Sequence, residues 1–561
     1  MSTILSELHP LQRYVRDDIT GDLVAGLTVG VMLIPQGMAY ALLAGLPPIY
    51  GLYASLVPLL VYALFGSSRH LAVGPVAMVS LLVAAGVGPL SGGDAGTFVE
   101  LSIVLALMVG IIQFVLGLAR FGFITNFLSH PVLTGFTSAA ALIIGFSQLK
   151  HLLGIDIERS SHVHEIVLSA AASIGGTHLA TLLVGVGSIL VILGLKRWNK
   201  TFPGALVVVV LGTTLVWYFG ASATGIKIVG TVPGGLPSFY VPSFDLEMIQ
   251  ALIPVAMTIA LVSFMESIAV AKVYATKHRY KIDPNRELIG LGLANILGSV
   301  FQSFPTTGGF SRTAVNEQAG ARTKIAAVIS AAVIAVTLLF LTSLFYNLPK
   351  TVLAAIIMVA VFGLMDYKEM KFLWRVDRRD FFLMSGTFLA TVGLGIEEGI
   401  LLGVVMSLVI VIYQSSRPHV AFLGRLPGTN TYRNIARNRD AIPDEGICIL
   451  RMDSTIYFAN AQYFSEVVQS CSGRGENIKA IIIDAYPVNG IDSTGIHALT
   501  DAIRVFQDQE IEVYFAGVKG PVMDVFRRSE IEAMIGPDRF FLEIYQASKA
   551  ASDNFPVQKD G

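Results

Sequence analysis

Mostly apolar stretches of helix length recur through residue 416, at about 22–45, 50–65, 71–88, 98–118, 129–147, 175–195, 202–219, 246–272, 287–304, 322–342, 350–366, 380–396 and 398–416. No soluble core holds that many, so they are read as helices in a lipid bilayer. A further stretch, 305–317, is too polar for a full span and brings the total to about fourteen elements. An even number returns the chain to the side on which it started. Arg13 and Arg16 before the first element, Lys277, Arg279, Lys281 and Arg286 after the eighth, and Arg417 and Arg425 after the last place that side in the cytoplasm. The N-terminus, MSTILSELHPLQRYVRDD, lacks the apolar core and small-residue cleavage site of a secretory signal. The first span is therefore expected to stay in a plasma or bacterial inner membrane.

Charge divides the chain in two. Only 14% of all residues are charged and the mean hydropathy is +0.66, against about a quarter charged in an ordinary soluble protein. Within the first 417 residues 46 are Lys, Arg, Asp or Glu, about 11%, whereas the last 144 hold 33, about 23%. The step predicts a cytoplasmic N-terminus over 1–20, a membrane domain over 21–418, a linker over 419–439 and a small soluble domain over 440–555. In that last part GICILRM, KAIIIDA and EIEVYFAGV read as strands and Ala461–Cys471, Gly495–Phe506 and PVMDVFRRS as helices, the alternation of an α/β domain.

Several function classes fall away. The net charge is −1 and no basic block is long, which argues against a nucleic-acid partner. The two cysteines, Cys448 and Cys471, both lie in the tail, supply neither a disulfide framework nor a metal site, and suit a reducing compartment. No phosphate-cradling glycine loop appears, which argues against an ATP-driven pump.

Three spans are interrupted: the first at Pro35–Gly37, the third at Gly74–Pro75 and the tenth over Pro305–Gly309. Breaks free backbone groups that lipid cannot satisfy, so they are expected to face protein or a watery cavity. Broken elements in positions three and ten, seven apart, are what an inverted repeat of seven plus seven produces. Just past the first break, Gln36 and Tyr40 share a helix face and could hydrogen-bond a small solute; alternatively Gln36 only satisfies backbone freed by the proline. In SRHLAVGPVAMVS the helix start at Val76 and Ala77 offers an anion unpaired N–H groups, unless Gly74 and Pro75 merely punctuate a packed span. His70 reads as a structural histidine.

In PTTGGFSRTAVN, Phe310 and Ser311 offer a second helix start and Arg312 a fixed charge. An arginine at membrane depth is expensive and functional by default, the bland alternative being an ion pair with Glu266. Glu266 is the only acid between Glu247 and Asp283, shares a face with Ser263 and Ser267, and suits a proton or Na+ coupling site. Glu397 and Glu398, at a turn, are read as solvated. In the tail, Asp492, Ser493 and nearby His497 fit a helix cap and its first turn far better than a hydrolase triad.

The runs PQGMAYALLAGLPPIYGLYAS at 35–55, VGPVAMVS at 73–80, Glu266 and TGGFSRTAVNEQAGARTK at 307–324 resemble the SulP (sulfate permease) family. The tail resembles a STAS domain through IDSTGIHAL at 491–499. The resemblance implies an α-helical membrane protein of fourteen segments in a 7+7 inverted repeat, a core domain moving against a gate domain in elevator fashion, a cytoplasmic STAS domain and a homodimer. It places a small anion between Val76 and Ala77 on one side and Phe310 and Ser311 on the other, beside Arg312, Gln36 and Tyr40, with Glu266 for coupling. Related soluble STAS proteins carry a phosphorylated serine at the position of Ser493, so the resemblance implies phosphorylation there and a cytoplasmic partner of the STAS domain. The reading is a proton-coupled sulfate symporter without a cofactor or metal. The alternatives are a Na+-coupled bicarbonate carrier, an anion exchanger, or a membrane-anchored STAS signalling protein.

Overall fold

The computed structural model describes residues 16–126, 129–157, 163–198, 203–220, 225–241, 246–363, 365–473 and 478–554. Arg13 lies outside the described residues, as does the side chain of Glu397. Among the described residues nine helices are long and apolar enough to cross a membrane. With five others they make a series of fourteen. In chain order these are α1 (Arg16–Ala44), α2 (Pro48–Phe65), α3 (Ala77–Val87), α4 (Ala95–Leu118), α5 (His130–Ser147), α6 (Leu179–Trp198), α7 (Gly204–Phe219), α8 (Leu246–Lys277), α9 (Pro284–Val300), α10 (Phe310–Gln318), α11 (Ile325–Val336), α12 (Lys350–Phe362), α13 (Arg378–Leu394) and α14 (Ile396–Ser416). The spans Ile325–Phe345 and Lys350–Val376 run on beyond α11 and α12. Two-residue strands precede the two short half-helices: β1 (Val73–Gly74) before α3 and β2 (Thr307–Gly308) before α10.

The packing repeats itself with the two sets of seven exchanged. α1 lies on α11 and α8 on α4; α2 lies on α11 and α9 on α4; α1 touches α10 and α8 touches α3. The same exchange relates α5 on α13 to α12 on α6. Helices 1–4 and 8–11 therefore form one group, and helices 5–7, 12 and 13 pack largely among themselves as a second. Glycine makes the tightest approach possible. A Cβ on Gly110 of α4 would stand 2.6 Å from the Ile296 nitrogen of α9, and one on Gly292 of α9 equally close to the Phe114 nitrogen of α4. Small residues let helices meet backbone to backbone where lipid supplies no hydrophobic drive for association.

One expected break is absent: α1 runs unbroken through Pro35. The proline removes one intrahelical bond, that to the Val31 carbonyl, and a helix absorbs a single such loss when a neighbour supports it. Here α2 closes in, because Gly37 lies against Gly51. At the other two breaks the backbone is extended. β1 and β2 pair antiparallel, Val73 opposite Gly308 and Gly74 opposite Thr307, so each interrupted span satisfies the other's freed groups.

Residues 408–561 form a second compact unit. Its sheet runs β4-β3-β5-β6-β7-β8, built from β3 (Val420–Arg425), β4 (Tyr432–Asn434), β5 (Ile447–Met452), β6 (Ala480–Asp484), β7 (Glu512–Ala516) and β8 (Phe540–Phe541). β5 to β8 are parallel, and β3 joins β4 and β5 antiparallel. β3 and β4 lie within the stretch read from charge as a linker. β3 is apolar and covered on both faces, Val420 and Phe422 on one side and Ala421 and Leu423 on the other, but so short a run inside a polar, turn-rich stretch does not register in a count of charges. Alternation sorts the side chains: Cys448 and Leu450 point with Ile481 and Phe515 towards α15 (Ala461–Gln469), α16 (Ser493–Asp508) and α17 (Gly520–Arg528). Ile447 and Ile449 point to the opposite face, against α18 (Ile544–Asn554). Both cysteines are buried and neither forms a disulfide among the described residues.

Candidate functional site

The two half-helices begin where β1 and β2 cross. Val76 is the N-cap of α3 and Gly309 that of α10, and neither start receives a side-chain cap. Other helices of the chain do: Asp94 caps α4, Asp283 α9, Asp377 α13 and Asp492 α16. The first-turn N–H groups of an uncapped helix lack intrahelical partners and carry the positive end of the dipole. At α3 these are the N–H groups of Ala77 and its neighbours, and at α10 those of Phe310 and Ser311.

Arg312 sits between them. It is 2% exposed, and its guanidinium lies in a slot between the two strand ends: a Cβ on Gly309 would stand 2.8 Å from Nη2 and one on Gly74 3.5 Å. Nη1 donates to the Pro75 carbonyl at 2.5 Å. Nε and Nη2 are buried without a hydrogen-bond partner. An arginine tied down at one nitrogen, with the rest of its fork unspent, is arranged for an acceptor that arrives from outside.

Glu266 does not supply that acceptor. Its Oε2 is itself buried without a hydrogen-bond partner, so the ion pair considered from sequence is not formed, although the two charges feel each other. Gln36 and Tyr40, both buried on α1, complete the group. Gln36 Oε1 is buried without a hydrogen-bond partner. Tyr40 lies within electrostatic reach of both Arg312 and Glu266. Two of the residues singled out from sequence are not buried with this group: the Phe310 side chain is 52% exposed and Ser311 is exposed.

Sequence reasoning passed over Ser80 and Asn316. Ser80 Oγ and Asn316 Oδ1 are buried and lack hydrogen-bond partners. The available signal was spacing, since Ser80 lies four residues after the cap of α3 and Asn316 four after Arg312. His70 is structural, as read. Its Nε2–H donates to the Ala321 carbonyl at 3.1 Å, Nδ1 accepts from Tyr280 Oη at 3.1 Å, and its ring stacks on His278 with centroids 4.5 Å apart. Burial, followed by the adjacent His278 ring, pulls the His70 pKa down to about 4. In the second unit Asp492 Oδ1 accepts from the Gly495 nitrogen at 2.8 Å and Oδ2 from the Phe458 nitrogen at 2.9 Å. Ser493 is the exposed first residue of α16, in the cap arrangement and not that of a nucleophile. Glu398 is exposed.

Residues 19–387 match the sulfate permease family. The chain belongs to that family. Residues 438–549 match the STAS domain. Sulfate transporter 4.1, chloroplastic, of Arabidopsis thaliana is 43% identical over 567 residues, covering 97% of this chain and 82% of that protein. High affinity sulfate transporter 2 of Stylosanthes hamata is 35% identical, covering 94% and 83%. Among solved structures, the murine Slc26a9 anion transporter in the inward-facing state superposes with a TM-score of 0.90 at 27% identity, covering 98% of this chain and 94% of that one. The transmembrane domain of the cyanobacterial bicarbonate transporter BicA gives 0.60 at 23%, covering 70% and 98%, a likeness of fold. This permease is thus a multi-pass membrane transporter with a STAS domain, not an enzyme.

Proposed function

We propose that the permease carries sulfate together with a proton, by moving its core group of helices against the second group. The observation that carries the reading is the charge of the site. Arg312 contributes one positive charge and each uncapped helix start about half of one. The sum, about +2, matches a sulfate dianion better than chloride or bicarbonate. The relatives named as sulfate transporters support the same substrate.

Glu266 supplies the coupling in this reading. An ionised carboxylate within reach of Arg312 would cancel half of that charge, so the site holds the dianion when Glu266 is protonated. Loss of the proton on the cytoplasmic side lets the carboxylate compete for the guanidinium and release the anion. The separation of helices into two packing groups supports an elevator motion. So does a cavity of about 820 Å³ lined by core residues Leu43, Leu81 and Phe98 and by Ser147 and Gln148 at the end of α5. Both termini are read as cytoplasmic on the distribution of basic residues.

Uptake of labelled sulfate into proteoliposomes, with an inward proton gradient, an inward Na+ gradient or neither, tests this. Accumulation driven by the proton gradient alone is expected. No uptake under any gradient would move bicarbonate to the front.

A further inference from the structure

Behind the anion site, between α8 and β2, lies a hydrogen-bond chain whose direction can be read atom by atom. Thr307 Oγ1 donates its one hydrogen to the Ser263 carbonyl at 2.6 Å, since a carbonyl can only accept. The 2.6 Å contact between Ser267 Oγ and Thr307 Oγ1 must then run from Ser267 to Thr307. Ser267 Oγ in turn accepts the Gly308 N–H at 2.8 Å. A second layer backs the first. Ser263 Oγ accepts from Gln113 Nε2 of α4 at 2.8 Å, and Gln113 Oε1 accepts from Asn295 Nδ2 of α9 at 3.2 Å. Asn295 Oδ1 takes the Thr306 N–H at 2.8 Å and the Thr306 hydroxyl at 3.2 Å. All six side chains are buried.

Apolar packing would hold these helices together in lipid, but it would not fix register. β2 is two residues long and paired only to β1, so its own ladder fixes little. The chain does fix it: it grips the backbone at Gly308 of β2 and at Thr306 just before the strand, and ends on Ser263 and Ser267, the residues that bracket Glu266 along α8. Arg312 follows Gly308 by four residues. A fully satisfied, one-directional network specifies a single arrangement where a greasy contact allows several.

We infer that Thr307 and Ser267 are positioning residues, which clamp the strand entering α10 to the Glu266 face of α8 and so set the carboxylate and the guanidinium of the transport site relative to each other. This rests on the proposed role of Arg312 and Glu266 but is silent on which anion is carried. Thr307→Val keeps the shape and removes the relay; Thr307→Ser keeps the relay and removes a methyl group. Sulfate uptake by the full-length protein in proteoliposomes is expected to show a KM raised about tenfold in Thr307→Val, with kcat changed less than threefold, and restored to within threefold of wild type in Thr307→Ser. Hydrogen–deuterium exchange of residues 305–318 should quicken in Thr307→Val while that of α2 and α9 does not. Should Thr307→Val fail to fold, Ser267→Ala, which loses the same relay from the other side, is expected to give the same KM shift and the same local exchange. Wild-type KM and exchange in the folded variants, or a serine variant as impaired as the valine one, would overturn the inference. If the wild-type protein moves no sulfate, the substrate reading falls, and exchange at 305–318 still decides the positioning role.

Discussion

The unspent donors of Arg312 predict an unusual result for its removal. In Arg312→Met the bond from Nη1 to the Pro75 carbonyl is lost, which costs about 2 kcal/mol for a charged donor. The same substitution removes Nε and Nη2, both buried without an acceptor, and relieves about 2 kcal/mol for each of these unpaired groups. The balance for the sulfate-free protein is about 2 kcal/mol in favour of the variant. An arginine buried for structural reasons gives the opposite sign, because breaking a satisfied buried pair costs about 3–5 kcal/mol. Thermal unfolding of the solubilised protein, followed through its three tryptophans, reads the difference directly. Without sulfate the variant should unfold at or above the wild-type temperature. Sulfate at a hundred times its Kd should stabilise the wild type by about 2.7 kcal/mol and leave the variant unmoved. A variant that melts well below wild type, or one still stabilised by sulfate, would refute the assignment of Arg312 as an anion ligand.

Three further outcomes follow from the same geometry. Glu266→Gln should retain sulfate exchange but lose accumulation driven by a pH gradient; gradient-driven uptake by this variant would sink the coupling role. His70 is held neutral in the folded protein, its pKa about 4 against about 6.5 when unfolded, so below pH 6.5 the unfolded chain binds a proton that the folded chain refuses. Stability is therefore expected to fall by about 1–2 kcal/mol between pH 6.5 and 5, and His70→Phe should flatten that part of a pH–stability curve; an unchanged curve would show that the histidine titrates freely. Gly110→Val places a side chain into the Ile296 backbone of α9 and should cost at least about 3 kcal/mol, seen as loss of folded protein on size-exclusion chromatography, whereas Gly175→Val, which meets nothing within 4 Å, should behave as wild type.

The helix series, the half-helices and the α/β tail follow from the sequence alone. Burying Leu, Val and Ala in lipid needs no partner, so a run such as 98–118 announces α4 wherever it packs. Gly74–Pro75 and Pro305–Gly309 interrupt such runs by removing donors and side chains, again a local effect. The short, β-branched apolar runs ICILRM and AIIID likewise announce two strands, and their unbroken apolarity fits strands covered on both faces.

Tertiary structure decided the rest. Lipid-facing and protein-facing apolar residues look alike in sequence, so hydropathy did not say which helices meet. Pro75 and Arg312, 237 residues apart, touch only because the two repeats pack with their roles exchanged. That Glu266 and Arg312 come within electrostatic reach without pairing, that α1 carries Pro35 without breaking, and that Val420–Arg425 joins the sheet each depend on a neighbour distant in the chain. Local chemistry fixed which segments form and where they break; the lateral fit of one helix against another, which hydropathy does not encode, fixed the site.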